Sequence, residues 1–91
     1  MHGRYMLLGV LKAQGTEAAR IGIVTSRRVG GAVQRNGVRR RIREIARHAR
    51  PQLGVGLWMV VIAKRTATEA EFGELREEWT QLARKAGCFP A

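Results

Sequence analysis

The longest uninterrupted apolar run of this chain is LWMVVIA at residues 57–63, between the glycines at 54 and 56 and the basic pair Lys64 and Arg65. A short apolar run bounded by turn and charged residues is typical of a buried strand. It falls far short of the roughly 18 apolar residues that a membrane span requires. The run therefore predicts the central strand of a sheet, around which the rest of the chain must fold.

Two earlier segments, residues 4–12 and 20–28, also read as strands. The first is rich in apolar residues and too short for a solitary helix, and the second places Ile21, Ile23 and Thr25 on one face. A hairpin across the polar residues 14–19 is the simplest pairing of the two.

After Gly30 and Gly31 the hydrophobic period changes from two to nearly four, which predicts a helix from about residue 32 or 34. Pro51 ends it, because the residue before a proline is pushed out of the α region. One arc of this helix is apolar and comprises Val38, Ile42, Ile45, Ala46 and Ala49. The adjoining arc is basic and comprises Arg39, Arg40, Arg43, Arg47 and Arg50.

A second helix is predicted to start at a capping box formed by Thr68 and Glu71 and to end before Gly87. Its apolar stripe is Phe72, Leu75, Trp79, Leu82, Ala83 and Ala86, and both Trp58 and Trp79 are expected in the core. The order β-β-α-β-α predicts an α+β fold, a small sandwich of one sheet with helices packed on it. With 91 residues the chain is expected to form a single domain, residues 1–91.

The charge of the chain is concentrated in one segment. Overall, 17 Lys and Arg oppose 7 acidic residues, giving a formal net charge of +10. Residues 27–50 hold nine arginines and one acid, Glu44. Such a density indicates a polyanionic partner, and guanidinium groups, which bind phosphate through two parallel hydrogen bonds and stack on bases, favour structured RNA.

The residues that catalysis by the protein itself would need are scarce. The chain has no Asp, a single serine, Ser26, and two histidines for which no orienting acid is expected nearby. His48 is interpreted as a helix-surface residue and Cys88 as a bystander thiol. We expect no metal site and no disulfide, because one cysteine and two histidines cannot form a zinc set. With no signal peptide or membrane span, the cytoplasm is the expected compartment.

Residues 26–44, SRRVGGAVQRNGVRRRIRE, resemble the signature of the bacterial ribonuclease P protein component, approximately SKKVGNAVxRNRxKRRIRE. The strand before it agrees, and Ala63, Lys64 and Arg65 match a basic triplet that follows the family's next strand. The resemblance implies a ribonuclease P protein-like fold, similar to domain 2 of ribosomal protein S5. It also implies a left-handed βαβ crossover, against the right hand that the general rule predicts.

The resemblance further implies a non-catalytic protein subunit of an endoribonuclease whose active site is RNA. Its expected partners are the ribonuclease P catalytic RNA and the 5′ leader of precursor tRNA, and Mg²⁺ is expected to be bound mainly by the RNA and substrate. The RNA-binding residues carried over from the motif are Arg27, Arg28, Arg35, Asn36, Arg39, Arg40, Arg43, Lys64 and Arg65. The leader cleft is expected to include Tyr5 and Ser26, although packing as a half-buried strand aromatic is an equal alternative for Tyr5.

Two departures from the family pattern stand out. Gly37 occupies the third position of the Arg-Asn-Arg motif, which removes one guanidinium and loosens the helix by about 1 kcal/mol relative to alanine. The contact there is expected to be weaker or to be carried by Arg41. The sequence is also expected to lack the N-terminal helix that usually begins the family fold, with a start-site error, a truncation and real divergence all left open as reasons.

Three other functions are alternatives. A ribosomal or RNA-chaperone protein would bind RNA without a role in tRNA processing. A protein-only nuclease is disfavoured by the missing acids, and a DNA-binding helix-turn-helix lacks a companion helix before the basic one. The sequence leaves the oligomeric state open.

Overall fold

The computed structural model describes residues 1–13 and 15–89. It contains, in chain order, β1 (Met6–Lys12), β2 (Arg20–Val24), α1 (Ala32–Ala49), β3 (Leu57–Ala63) and α2 (Phe72–Lys85). The predicted α+β class and the order β-β-α-β-α are confirmed. Both early strands are shorter than predicted, and Gln14, the first residue of the predicted turn, lies outside the described residues.

The three strands form one mixed sheet in the order β1-β3-β2. β1 runs antiparallel to β3, pairing Met6 with Ala63, whereas β2 runs parallel to β3, pairing Arg20 with Trp58. The predicted hairpin between β1 and β2 is therefore wrong. β3 is the most apolar strand and takes the centre, where both of its edges are paired. β2, α1 and β3 form the βαβ unit to which the implied left-handed crossover refers.

The faces of the central strand have different surroundings. Leu57, Met59, Val61 and Ala63 are buried, because both helices pack on that face of the sheet. Trp58, Val60 and Ile62 point the other way and are 50%, 41% and 40% exposed. The central position of β3 is confirmed, but the strand is buried on one face only. The expected core position of Trp58 is wrong, since no helix of the described chain covers the second face.

The core lies between the sheet and the two helices. α1 contributes its predicted apolar arc, with Val38, Ile42, Ile45 and Ala46 buried. α2 contributes Leu75, Trp79, Leu82 and Ala83. No helix in the described ranges is long and apolar enough to cross a membrane.

The start of α2 differs from the prediction. Arg65–Glu69 is a 3₁₀ turn in which the Thr68 hydroxyl donates to the carbonyl of Arg65 at 2.9 Å. The helix begins at Phe72, and the side chain of Glu74 accepts the N–H of Glu71 at 2.9 Å. Residues 71–74 have the same spacing as the capping box that was predicted at residues 68–71. Ala67 and Ala70 are buried in the core, and their packing keeps Thr68 in the 3₁₀ turn instead of at the start of the helix.

The segment before β1 is fixed by side chains of other elements. Glu78 on α2 accepts the backbone N–H groups of Arg4 and Tyr5, the latter at 2.8 Å. From the end of β3 and the turn after it, Lys64 Nζ donates to the carbonyl of Gly3 at 2.6 Å and the Thr66 hydroxyl donates to that of Arg4 at 2.6 Å. This clamp sets the position of residues 3–5 against the end of β3.

Candidate RNA-binding surface

A row of arginines follows α1 on the side that adjoins β2. Its members recur about one helical turn apart, which places them within one arc of the helix, at Arg35, Arg39, Arg43, Arg47 and Arg50. The row extends for about 22 Å at the 1.5 Å rise per residue of an α-helix. We call it the arginine row. All of its members are at least partly exposed, so the predicted division of α1 into a buried and a basic arc is confirmed.

Arg39 joins the row to the sheet. Its Nη2 donates to the Thr25 hydroxyl, just beyond β2, at 2.7 Å, and its Nε is buried without a partner among the described residues. Arg35 lies one turn earlier, with Nη1 3.4 Å from the carbonyl of Gly30, while Asn36 and Arg40 are exposed. Arg39 is therefore held in a fixed orientation between the two elements, which the sequence did not indicate.

The turn before α1 presents two further predicted residues to solvent. Arg27 and Arg28 lie in the 3₁₀ turn Arg27–Val29, which Val29 anchors in the core. Gly30 follows with φ 146°, in the positive-φ region that L side chains rarely adopt. The glycine thus permits the sharp reversal that places both arginines next to the first turn of α1.

A recess at one end of the sheet brings four predicted site residues together. It measures about 580 Å³ and is lined by Ser26, Arg28, Ile62, Ala63, Lys64 and Arg65. The structure thus joins the residues after β2 to those after β3, which are far apart in sequence. Lys64 also belongs to the clamp on Gly3, so its ammonium group is partly engaged.

The uncovered face of the sheet continues from this recess and was not foreseen from the sequence. Its centre is Val60, and the strand register places Gly9 and Gly22 on either side of it. A Cβ added at either glycine would meet no atom closer than 4.0 Å, so the face forms a shallow trough. At the far end the Arg20 guanidinium carbon lies 5.1 Å from the centre of the Trp58 ring. In the sequence, this apolar surface was signalled by alternate residues of β3, namely Trp58, Val60 and Ile62, and by a glycine in each neighbouring strand.

Comparison with known proteins decides the family. A profile of the family described as Ribonuclease P matches residues 1–87. The chain belongs to the ribonuclease P protein family.

Relatives and a solved structure agree with this assignment. A ribonuclease P protein component from Symbiobacterium thermophilum is 38% identical over 86 residues, covering 94% of this chain and 75% of the relative. One from Chloroflexus aurantiacus is 43% identical over 88 residues, covering 96% of this chain and 64% of the relative. The structure of the ribonuclease P protein of Staphylococcus aureus matches with a TM-score of 0.87 at 22% identity, covering 99% of this chain and 82% of that one. That likeness confirms the predicted ribonuclease P protein-like fold.

Tyr5 does not lie on the open face in this member of the family. Its side chain is 9% exposed, and its hydroxyl donates to Glu74 Oε2 at 2.9 Å. This hydrogen bond raises the pKa of Tyr5. The pKa of Glu74 is lowered, first by the hydrogen bond from the N–H of Glu71 and then by that from the Tyr5 hydroxyl. The position matches the alternative interpretation, a packed aromatic, whereas stacking on a leader base would require the ring to be uncovered.

Gly37 occupies the third position of the Arg-Asn-Arg motif, for which the family resemblance implies an arginine. A Cβ there would meet nothing within 4 Å, so the position is open. The Arg41 guanidinium donates to the carbonyls of Ala70, at 3.0 Å, and Gly37, at 3.3 Å. Arg41 is therefore disfavoured as a replacement for the missing RNA contact, because its guanidinium is already bound to the backbone of Ala70, just before α2.

The expectation that no acid lies near His48 was wrong. Glu44 lies four residues before His48, and its Oε1 is 2.9 Å from His48 Nε2 and 2.6 Å from Arg47 Nη2. The i,i+4 spacing was the sequence signal for this acid. All three side chains lie on the surface, as expected for His48. Cys88 is buried, which raises the pKa of its thiol.

A metal ion bound by the protein would need several His, Cys, Asp or Glu side chains close together. Within residues 1–13 and 15–89, no three His, Cys, Asp or Glu side chains are grouped closely enough to hold one. The described side chains therefore do not fit a Mg²⁺ ion bound by the protein alone.

Proposed function

We propose that residues 1–91 form one RNA-binding domain that acts as the protein subunit of bacterial ribonuclease P. In this proposal the arginine row binds the catalytic RNA, and the protein assists removal of the 5′ leader from precursor tRNA. The observation that carries it is the arginine row itself, set beside the two arginines of the turn at residues 27–29.

The geometry of the row suits a phosphate backbone. Guanidinium groups about one turn apart can each bind a phosphate through two hydrogen bonds, and each contact releases counterions from the RNA. In the described chain only Arg47 of the row has a carboxylate partner, Glu44, so most of the row is available to RNA. Fixing Arg39 against Thr25 reduces the side-chain entropy that binding would otherwise cost.

We propose that the single-stranded leader lies along the uncovered face of the sheet. Trp58 offers a π-face on which a base can stack, worth about 1–3 kcal/mol per base. At the opposite end, the recess with Ser26, Arg28, Lys64 and Arg65 supplies positive charge for the leader phosphates. An apolar trough between an aromatic end and a basic end suits a strand whose bases are unpaired.

We propose that the chemistry of cleavage belongs to the RNA. Mg²⁺ is then bound by the RNA and the substrate, and the protein holds the leader and neutralises phosphate charge. The cytoplasm, where tRNA is matured in bacteria, remains the expected compartment.

The test is processing of a precursor tRNA by a bacterial ribonuclease P RNA at low Mg²⁺, with and without the protein. We expect the protein to stimulate leader removal and Arg35→Gln/Arg40→Gln, which removes one arginine of the row and the exposed motif arginine beside it, to reduce the stimulation. The matched control is Arg76→Gln/Arg84→Gln, which removes the same charge from the exposed surface of α2. Tight RNA binding without stimulation would instead support a ribosomal or RNA-chaperone role. Cleavage by the protein without RNA would show that the catalytic assignment is wrong.

A further inference from the structure

We propose that a groove between β2 and the C-terminal half of α1 binds a single-stranded RNA segment, independently of the family motif residues 35–40. The proposal rests on the proposed function and extends it to a second contact. The groove measures about 460 Å³ and its main lining is Ile21, Ile23, Arg43, Ala46, Arg47 and Arg50. We call it the β2 groove.

The floor of the β2 groove is apolar and incompletely covered. Ile21 and Ile23 point to the helix side of the sheet but are only partly buried. β2 is an edge strand of the described sheet, since it pairs with β3 and with no other strand. α1 crosses near this edge and leaves an open strip between the two isoleucines and the small side chain of Ala46.

The helix wall of the groove is positively charged. Arg43 and Arg47 lie on α1 and Arg50 directly follows it, at steps of about 6 and 4.5 Å from the rise of 1.5 Å per residue. Arg43 and Arg50 make no side-chain hydrogen bond or ion pair with any described residue. Arg47 is shared with Glu44, whose pKa is lowered chiefly by its hydrogen bond to Arg47. The wall therefore keeps two unpaired guanidinium groups and a third that is partly neutralised.

Free guanidinium groups over an apolar floor suit a nucleotide strand better than the alternatives. Phosphates can bind the wall while an unpaired base or a ribose covers Ile21 and Ile23. The wall continues directly from Arg39 and the motif half of the arginine row, so one polyanion can contact both. An acidic peptide added to the edge of β2 would also match the charge, and the test separates it from RNA.

The test compares Arg43→Gln/Arg50→Gln, which removes the two unpaired guanidinium groups, with the control Arg76→Gln/Arg84→Gln, using a labelled twelve-nucleotide single-stranded RNA of mixed sequence. Loss of two phosphate contacts should weaken binding about tenfold at 0.15 M salt and reduce the slope of log K against log salt by about 1.4. The control should change both values much less. Equal effects in the two variants would overturn the proposal, because the loss would then reflect net charge alone.

Cross-linking locates the contact. The cysteine of the native chain is buried, so a photoreactive label can be attached to Arg50→Cys, with Gln81→Cys on the exposed surface of α2 as the control. We expect Arg50→Cys to cross-link to the twelve-nucleotide RNA and to ribonuclease P RNA, and Gln81→Cys to cross-link to neither. No cross-link from residue 50, or displacement of the RNA probe by a poly-glutamate peptide at lower concentration than by unlabelled RNA, would overturn the proposal. Neither result depends on stimulated tRNA processing, so failure of the groove and failure of the proposed function are distinguishable.

Discussion

Replacing Gly37 by alanine should stabilise the protein. Gly37 is the sixth of the 18 residues of α1 and its φ is not positive. A Cβ at this position would meet no heavy atom within 4 Å, so the methyl group costs no steric strain. Alanine is better than glycine inside a helix by about 0.5–1 kcal/mol, chiefly because glycine loses more backbone entropy on folding.

The expected gain converts to a measurable shift in melting temperature. The unfolding entropy of a 91-residue chain is about 0.19 kcal/mol/K, from about 2.1 cal/mol/K per residue. The melting temperature should therefore rise by about 3–5 °C, which thermal unfolding followed by circular dichroism at 222 nm resolves. Urea unfolding should show a higher midpoint with an unchanged slope.

Gly31→Ala is the matched control for this prediction. Gly31 precedes α1 as its N-cap, and a Cβ there also meets nothing within 4 Å. Glycine is favoured over alanine at that position, so the same chemical change should bring no gain. An unchanged or lower melting temperature for Gly37→Ala would refute the reasoning, because it would mean that residue 37 is not held in a regular helical turn.

Two further predictions concern the two tryptophans and the loss of stability at acid pH. Trp58→Ala should lower stability by less than Trp79→Ala, which should cost about 3–5 kcal/mol in urea unfolding because Trp79 is fully buried. Trp58→Ala should also lower the affinity for precursor tRNAs with long leaders more than the affinity for precursors with a one-nucleotide leader. Equal losses of affinity would show that Trp58 does not contact the leader. Glu74 has a lowered pKa in the folded state, so its stabilisation is present above the ordinary pKa and is lost as the pH falls through the folded value. Glu74→Gln should therefore flatten the decline in urea midpoint between pH 6 and 3, and an unaltered decline would contradict this.

The order of the elements was predictable because each element carries a local signal. The change of period after Gly31 and the stop at Pro51 located α1 closely, and the observed helix is Ala32–Ala49. The order of the strands was not predictable, since the insertion of β3 between β1 and β2 depends on contacts distant in sequence. An apolar run also does not reveal whether one face or two are covered, which is why Trp58 was misplaced.

The candidate site was predictable where a motif runs through one element. The basic positions of α1 followed from the helical period and from the family resemblance. The apolar trough and the β2 groove were not predictable, because each is formed by residues on different strands or between a strand and a helix. The anchoring of Arg39 on Thr25 is of the same kind, since these residues come together only through the path of the chain around the βαβ unit.

The position of β3 between the other two strands also governs the order in which the protein can assemble. In the described sheet, β1 and β2 pair only with β3, so a nascent chain that ends before residues 57–63 lacks both ladders of this sheet. β3 then completes an antiparallel and a parallel ladder together and covers the apolar arc of α1. The arginine row consequently gains its support late in synthesis, and a growing chain should acquire its ordered RNA-binding surface only after β3 has been added.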